Sequence, residues 1–231
     1  ILEGYGLTET SPVITCNRLT HYRIGSVGVP IDGVEVRIAE DGEILTRGPQ
    51  VMRGYFNNPE ATAEAIDAEG WFHTGDIGVL DEDGYLRIVD RKKELIITAG
   101  GKNISPANIE AALKASPLVG QACVIGDARP YLTALLVLDP EVAPVWAAGH
   151  GITETDLAAL AANPDVLAAV QADVDAVNAR FSQVEGIKRF RLLSDEWMPD
   201  SEELTPTMKL KRKLVNEKYR DLIESMYSAT S

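Results

Sequence analysis

Short apolar stretches separated by turn residues characterise the N-terminal part of the chain. Residues 34–38 alternate apolar and charged side chains, which is typical of a strand with one buried face. An Asp-Gly pair at 41–42 predicts a tight turn before a second strand at 43–46. A further Asp-Gly pair at 83–84 precedes an apolar-rich run at 85–89. The pattern predicts a small, mainly antiparallel β-barrel or sandwich.

The pattern changes after Arg91. Residues 95–97 form a short apolar run, and Ser105 followed by Pro106 is typical of a capped helix start. Helical or strand-like periodicity recurs to the end of the chain. The predicted helices are 58–66, 154–162, 164–181 and 215–227, and the predicted strands are 122–126, 132–138 and 188–193.

The change of pattern at residues 90–93 predicts a domain boundary. Residues 1–90 are expected to form a β-rich, barrel-like subdomain, and residues 91–231 a small α+β domain. The predicted fold class is therefore α+β.

Composition excludes some function classes. The 231 residues carry a formal charge of −13, which argues against a general nucleic-acid-binding protein. An acidic protein can still bind ATP, because local lysines, backbone N–H groups and a metal ion suffice to hold phosphate. The alanine-rich composition favours a bacterial source.

The cysteines and the lengths of the apolar stretches indicate where in the cell the protein is located. Cys16 and Cys123 lie far apart without a C-x-x-C spacing, so we expect buried thiols and a reducing, cytoplasmic location. No stretch reaches the roughly 18–20 apolar residues of a membrane span. The chain begins without Met and without a signal-peptide pattern, and we interpret it as a piece of a longer protein.

The segment 5–9 carries a candidate ligand-binding group. The Tyr5 ring could stack on a base, the Thr8 hydroxyl could contact phosphate, and the Glu9 carboxylate could hold Mg²⁺. An ordinary tight turn with polar residues explains the same segment equally well.

Asp76 and Arg91 form a second candidate group. A carboxylate at a strand end can accept hydrogen bonds from both hydroxyls of a ribose, and a guanidinium can reach the same sugar or a phosphate. The alternatives are a turn-capping aspartate and a surface ion pair of Arg91 with Asp90 or Glu94. His73, the histidine nearest to these residues, is interpreted as structural.

Two further segments carry candidate groups. Gly100 and Gly101 lack the spacing of a Walker loop, and adjacent glycines predict a mobile turn that can approach a narrow ligand. Lys209 opens a basic run after a Thr-Pro-Thr turn, and one lysine could stabilise charge that develops on a carboxylate and a phosphate. A solvated basic face is the alternative.

Taken together, these segments resemble the later motifs of the adenylate-forming enzymes, which include acyl-CoA synthetases, peptide-synthetase adenylation domains and luciferases. The order and spacing of the segments carry the resemblance over nearly the whole chain. Within that family, the basic run and the long helical insert at 140–181 look like the long-chain fatty-acid–CoA ligases, although Met208 stands where many members have glycine. The matching runs are 5–9, 25–30, 48–58, 70–76, 85–91, 100–110 and 209–212.

The resemblance implies a role for each candidate residue. Tyr5 would stack on adenine, Thr8 would contact the phosphates and Glu9 would bind Mg²⁺. Asp76 and Arg91 would hold the ribose, and Lys93 would be the hinge of a mobile C-terminal domain. Lys209 would orient the carboxylate and AMP during adenylation, and the Gly100–Gly101 loop would help form the thiol tunnel. Gly100 and Gly101 are therefore expected near coenzyme A.

The implied reaction uses a fatty acid, ATP and coenzyme A, with acyl-AMP as intermediate. The family's phosphate loop and most of its acyl pocket are absent from this sequence, so we expect them upstream of Ile1 and expect the 231 residues alone not to complete adenylation. Two alternatives stay open: a ligase that passes acyl-AMP to a carrier protein, and a non-catalytic module that docks on a membrane or a protein. Acyl chain length, oligomeric state and peripheral contact with the inner membrane are also open.

Overall fold

The computed structural model describes residues 1–228, which fall into two compact units. The first unit is Ile1–Leu95 and the second begins at Ile96, a few residues after the boundary predicted at 90–93. The predicted α+β class is confirmed, since strands dominate the first unit and the second mixes helices with strands. No helix within residues 1–228 combines the length and the apolar character that a membrane crossing requires.

The first unit is built from two antiparallel sheets and one short helix. One sheet has the strand order β1-β2-β3 and the other the order β4-β5-β6-β7. The antiparallel pairing predicted for residues 34–46 and 85–89 is therefore confirmed. The elements are β1 (Gly4–Tyr5), β2 (Thr15–Cys16), β3 (Val29–Pro30), β4 (Glu35–Ile38), β5 (Glu43–Arg47), α1 (Pro59–Ala65), β6 (Phe72–Leu80) and β7 (Leu86–Arg91).

Local sequence explains the turns and the helix of this unit. The turn at 41–42 closes the β4–β5 hairpin, and Gly42 takes a φ of 88°, which a residue without Cβ adopts at little cost. Helix α1 begins after Asn58, whose side chain accepts the Ala61 N–H at 3.1 Å. Ile44 and Leu86 are fully buried, so the β5 and β7 strands contribute to the core of the unit.

The second unit places helices on both faces of a three-stranded sheet. Strand β11 lies in the centre, antiparallel to β10 and parallel to β12. A separate hairpin, β8–β9, precedes them. The elements are β8 (Ile96–Ile97), β9 (Asn103–Ile104), α2 (Pro106–Leu113), β10 (Val119–Ile125), β11 (Leu132–Leu138), α3 (Val142–Gly149), α4 (Leu157–Ala162), α5 (Pro164–Asn178), β12 (Ile187–Leu193), α6 (Arg212–Lys218) and α7 (Arg220–Tyr227).

Alternate side chains of β11 enter two different hydrophobic clusters. Leu136 packs in a cluster with residues of α2 and α5, whereas Leu135 packs in another with residues of α6 and α7. Because successive side chains of a strand point to opposite faces, a sheet covered on both sides needs a continuously apolar central strand. All seven residues of β11 are buried, as this arrangement requires.

The helical insert expected at 140–181 is confirmed, since α3, α4 and α5 lie within it. One helical prediction was wrong in part. The closing helix predicted at 215–227 is divided into α6 and α7 at Tyr219, where the backbone leaves the helical region and the ring lies 6.1 Å from that of Trp197. Cys16 and Cys123 are both free thiols, as predicted, although Cys16 is only half-buried.

Candidate nucleotide site and the Lys209 hairpin

Asp76 lies in an irregular part of β6. The pairs Glu43–Ile77 and Leu45–His73 leave residues 74–76 of β6 opposite a single residue of β5, so β6 bulges at this point. Gly75 adopts a φ of 71° within the bulge. Bulges re-aim a side chain, and this one turns the Asp76 carboxylate toward other groups of the first unit.

Tyr5, Asp76 and Arg91 meet at this bulge. The Tyr5 hydroxyl donates to Asp76 Oδ2 at 2.7 Å, and Arg91 Nε lies 3.0 Å from Asp76 Oδ1. Asp76 pairs with Arg91 in the β6–β7 ladder, which explains why the two side chains are neighbours. The sequence also allowed Asp76 to be an ordinary turn-capping aspartate. The structure does not agree with that interpretation, because Asp76 is only 4% exposed and both of its carboxylate oxygens are bonded.

The three side chains form a hydrogen-bonded cluster around one buried carboxylate. Burial, and then the hydrogen bond to Asp76, raise the pKa of the Tyr5 hydroxyl well above its usual value, so it stays a donor. A carboxylate has about four acceptor positions, so the bonds from Tyr5 and Arg91 leave about two positions of Asp76 unused. The half-exposed Tyr5 ring is held in place by its own hydroxyl.

Thr8 and Glu9 lie in a 3₁₀ turn, Thr8–Thr10, that follows β1. Thr8 is exposed, and the Glu9 carboxylate accepts the Tyr55 hydroxyl at 3.1 Å through Oε1. Tyr55, which the sequence reasoning missed, lies in the matching run 48–58. Within residues 1–228 no three carboxylate, histidine or cysteine side chains cluster as a metal site. A single carboxylate fits Mg²⁺ only if substrate phosphates and water complete the coordination.

Glu43 is a second site residue that sequence reasoning missed. Its carboxylate accepts the Gly75 N–H at 2.9 Å through Oε1 and the Lys92 ammonium at 2.8 Å through Oε2. His73 Nδ1 lies 3.0 Å from Oε2, which agrees with the structural role predicted for His73. Only the position of Glu43 after the Asp-Gly turn is visible in the sequence, and such a glutamate is usually a surface residue.

Lys93 lies in the 3₁₀ turn Lys92–Glu94 and is exposed. Its neighbour Lys92 makes ion pairs with Asp41 at 2.6 Å and with Glu43. No ion pair of Lys93 occurs among the described residues 1–228. The predicted hinge residue is thus unconstrained at its side chain, while the residue before it is anchored.

Gly100 and Gly101 form the turn of the β8–β9 hairpin. The Gly101 N–H donates to the Thr98 carbonyl at 2.8 Å, and Gly101 takes a φ of 75°. The Ala99 N–H donates to the Arg129 carbonyl at 2.9 Å, which fixes the turn to a neighbouring loop of the same unit. A Cβ at Gly101 would meet nothing within 4 Å, so this glycine serves the backbone conformation and leaves its surface open.

Lys209 lies near the end of a small hairpin, residues 204–210, here called the Lys209 hairpin. Its outer pair is the bridge between Leu204 and Leu210, and the Thr205 N–H donates to the Lys209 carbonyl at 2.8 Å. The Lys209 N–H donates to Thr205 Oγ1 at 3.0 Å. Met208 has a φ of 61°, the left-handed region that glycine adopts most easily. The glycine that many family members carry here therefore has a conformational explanation.

The basic run after Lys209 is not a uniform basic face. Arg212 makes two hydrogen bonds to Glu110, at 2.7 and 2.6 Å, and Glu110 is buried. Lys218 pairs with Glu203 at 2.5 Å. Among residues 1–228 the Lys209 ammonium is exposed and makes no ion pair. Lys209 therefore differs from Arg212 and Lys218, as expected of a lysine in a loop. The difference argues against the alternative that the whole basic run is one solvated face.

Two family models match this chain. The model for the AMP-binding enzyme C-terminal domain matches residues 93–231, and the model for the AMP-binding enzyme matches residues 1–56. The chain belongs to the AMP-binding enzyme family. The resemblance drawn from the sequence motifs is thereby confirmed.

The proteins that are similar in sequence to this chain include long-chain fatty-acid–CoA ligases. The chain is 47% identical to FadD15 of Mycobacterium tuberculosis, a long-chain-fatty-acid–CoA ligase, over 99% of this chain and 38% of that protein. It is 39% identical to the long-chain-fatty-acid–CoA ligase ACSBG1 of Bos taurus, over 97% of this chain and 34% of that protein. The chain thus spans about two fifths or less of the length of these relatives.

Solved structures show the same fold. The adenylation domain of a carboxylate reductase from Mycobacterium chelonae superposes with a TM-score of 0.74 at 25% identity, covering 99% of this chain and 35% of that one. ATP-bound MatB from Rhodopseudomonas palustris superposes with a TM-score of 0.69 at 29% identity, covering 96% of this chain and 41% of that one. The expected acyl-CoA synthetase type of fold is confirmed, whereas the roles of individual residues stay predictions.

Proposed function

We propose that this chain is the C-terminal part of a long-chain fatty-acid–CoA ligase, which joins a fatty acid to coenzyme A at the expense of ATP. The observation that carries the proposal is the cluster of Tyr5, Asp76 and Arg91, three residues 86 positions apart at most that converge on one buried carboxylate. The identity to long-chain fatty-acid–CoA ligases supports the choice of substrate class.

In the first step, the fatty-acid carboxylate attacks the α-phosphorus of ATP, a new O–P bond forms, and pyrophosphate leaves. Asp76 would accept the ribose hydroxyls, Arg91 would donate to the same sugar, and the Tyr5 ring would stack on adenine. Thr8 would donate to the phosphates, and Glu9 would hold Mg²⁺, which supplies charge neutralisation there. The exposed Lys209 ammonium would stabilise the negative charge shared by the carboxylate and the phosphate.

In the second step, the thiol of coenzyme A attacks the acyl carbon of acyl-AMP, a C–S bond forms, and AMP leaves. We propose that Lys93 is the hinge about which the second unit moves between the two steps. Gly100 and Gly101 would then border the path of the thiol, because their turn presents backbone without side chains. The free cysteines agree with a cytoplasmic protein, and peripheral membrane contact is part of neither step.

The test uses the full-length protein that carries this chain. We expect fatty-acid-dependent exchange of pyrophosphate into ATP, followed by acyl-CoA formation when coenzyme A is added. Accumulation of acyl-AMP with no acyl-CoA would instead favour transfer to a carrier protein. The 231-residue chain alone is expected to show no exchange, and exchange by the pure chain would contradict our expectation that the missing upstream part is required.

A further inference from the structure

Glu43 is a buried carboxylate that the proposed chemistry does not use. It is 4% exposed and begins strand β5, directly after the Asp41–Gly42 turn. Burial of a charge is unfavourable unless partners compensate it. Glu43 has three such partners in the first unit, which are Gly75, Lys92 and His73.

The first partner belongs to the bulge that presents Asp76. Because residues 74–76 of β6 lie opposite one residue of β5, the ladder does not supply every acceptor there. Glu43 Oε1 accepts the Gly75 N–H at 2.9 Å, and Thr74 Oγ1 accepts the Asp76 N–H at 3.1 Å. Side chains therefore take over the hydrogen bonding of the bulge: Thr74 holds the Gly75–Asp76 peptide, and Glu43 holds the Thr74–Gly75 peptide before it.

The second partner belongs to the segment that leads into Lys93. Lys92 Nζ lies 2.8 Å from Glu43 Oε2 and 2.6 Å from Asp41 Oδ2. One buried carboxylate thus joins the turn before Asp76 to the residue before the predicted hinge. Both ends of this connection lie within the first unit.

The electrostatics agree with an ionised cluster at neutral pH. Burial raises the pKa of Glu43, but the hydrogen bonds from Lys92, His73 and Gly75 outweigh it and hold that pKa below its usual value. The pKa of Lys92 is raised, first by its hydrogen bond with Asp41 and then by the one with Glu43. The titratable groups that face Glu43 are Asp41, Lys92 and His73, with Asp67 3.9 Å beyond His73 Nε2.

We propose that Glu43 is a positioning residue for nucleotide binding: its ion pair with Lys92 and its hydrogen bond to Gly75 hold the bulge that presents Asp76. This inference rests on the proposed function. Glu43 would touch neither ATP nor the fatty acid, and would act only through Asp76 and the Lys92 segment. A misplaced binding group weakens a ligand complex even where the group itself is intact.

The central variant is Glu43→Gln in the full-length protein. Glutamine keeps an oxygen that can accept the Gly75 N–H, but its amide cannot form the ion pair with Lys92. We expect the KM for ATP to rise about tenfold, with a smaller change in kcat and an unchanged KM for the fatty acid. Lys92→Met removes the other partner and should raise the KM for ATP similarly, whereas Lys92→Arg, which keeps the ion pair, should restore it.

Controls separate positioning from stability. Glu64→Gln removes a carboxylate from the exposed surface of α1 in the same unit and should leave the KM for ATP unchanged. Each variant is assayed well below its thermal midpoint, so a purely structural role would lower the midpoint without changing the KM for ATP. The double variant Glu43→Gln with Lys92→Met should resemble each single variant, because both remove the same ion pair.

The outcomes also distinguish this inference from the proposed function. A wild-type enzyme that exchanges pyrophosphate, together with folded Glu43→Gln and Lys92→Met variants whose KM for ATP stays within twofold, would overturn the positioning role alone. If the wild-type protein shows no exchange, direct titration with ATP replaces the kinetics. Weaker ATP binding by Glu43→Gln then supports the positioning role although the ligase proposal has failed, and unchanged or absent binding overturns it.

Discussion

The Asp76 bulge and the Lys209 hairpin each present one charged side chain, but they hold it in different ways. Asp76 is 4% exposed, both of its oxygens are bonded, and Glu43 holds the Thr74–Gly75 peptide of its bulge. Lys209 is exposed, and within residues 1–228 only its backbone is fixed, by Thr205. The difference suggests that the first group is prepared for a ligand, while the second is kept unpaired until it meets one.

This contrast agrees with the proposed chemistry. A group that binds a ligand benefits from being held before the ligand arrives, because less conformational freedom is then lost on binding. A cation that stabilises developing charge must not be neutralised by its own protein. Arg212 and Lys218 pair with the buried carboxylates Glu110 and Glu203, whereas Lys209 has no such partner among residues 1–228.

Replacement of Lys209 should have the largest effect. In the full-length enzyme, Lys209→Ala is expected to slow the adenylation step by about a hundredfold or more, since one charged contact in the transition state contributes about 2–4 kcal/mol. Pyrophosphate exchange measures this step. The matched control is Lys213→Ala, because Lys213 is 87% exposed and lies 4.0 Å from Glu217. Equal loss in both variants would show that net basic charge, rather than Lys209, matters.

Replacement of Asp76 should change nucleotide binding and stability together. Asp76→Asn leaves the Tyr5 hydroxyl and the Arg91 guanidinium without their charged partner. We expect the KM for ATP to rise about tenfold and the first unit to lose about 1–3 kcal/mol of stability. Asp32→Asn serves as control, because the Asp32 side chain is 95% exposed and pairs only at the surface with Arg18. A large rise in KM without any loss of stability would contradict the prepared-site interpretation.

The Glu43–Lys92 pair should make the first unit sensitive to acid. The pKa of Glu43 is lowered in the folded state from its usual 4.5, so the stabilisation is complete above that pH and is lost as the pH falls through the folded value. We expect Glu43→Gln to be about 1–2 kcal/mol less stable than wild type at pH 7 and nearly equal to it in strong acid. Hydrogen exchange of the β6 amides across this pH range measures the difference. A gap that does not shrink in acid would contradict an ionised Glu43.

Replacement of Met208, in the Lys209 hairpin, should have the smallest effect of the four. Its φ of 61° is unfavourable for a side chain with Cβ and more so for a β-branched one. We expect Met208→Gly to be more stable than Met208→Val by about 1 kcal/mol, as measured by thermal unfolding. At Met198, another exposed methionine but one without a positive φ, the same two substitutions should rank in the opposite order. The same ranking at both positions would argue against the left-handed backbone at Met208.

Sequence patterns predicted the parts of the site that depend on local order. The Asp-Gly turn at 83–84 implies a hairpin, and the ladder of that hairpin brings Arg91 opposite Asp76. The capped start of α2 at Ser105 was equally readable, because its signal lies within a few residues. Tyr5, by contrast, was placed with Asp76 only through the family resemblance.

The remaining features depend on irregular or distant contacts. Glu43 becomes important only because β6 bulges, and no periodicity in the sequence marks that bulge. Lys92 and Lys93 look alike in sequence, yet only Lys92 meets the two carboxylates Asp41 and Glu43. The division between α6 and α7 depends likewise on how Tyr219 packs against Trp197.

The most direct test of the contrast is equilibrium binding of ATP, without fatty acid, to the full-length protein and two variants. The prepared Asp76 site predicts that Lys209→Ala binds ATP within a few-fold of wild type although its pyrophosphate exchange is lost. Asp76→Asn should bind ATP about tenfold more weakly than wild type. Strong loss of ATP binding in Lys209→Ala, with binding retained in Asp76→Asn, would contradict the assignment of nucleotide binding to the first region and of charge stabilisation to the second.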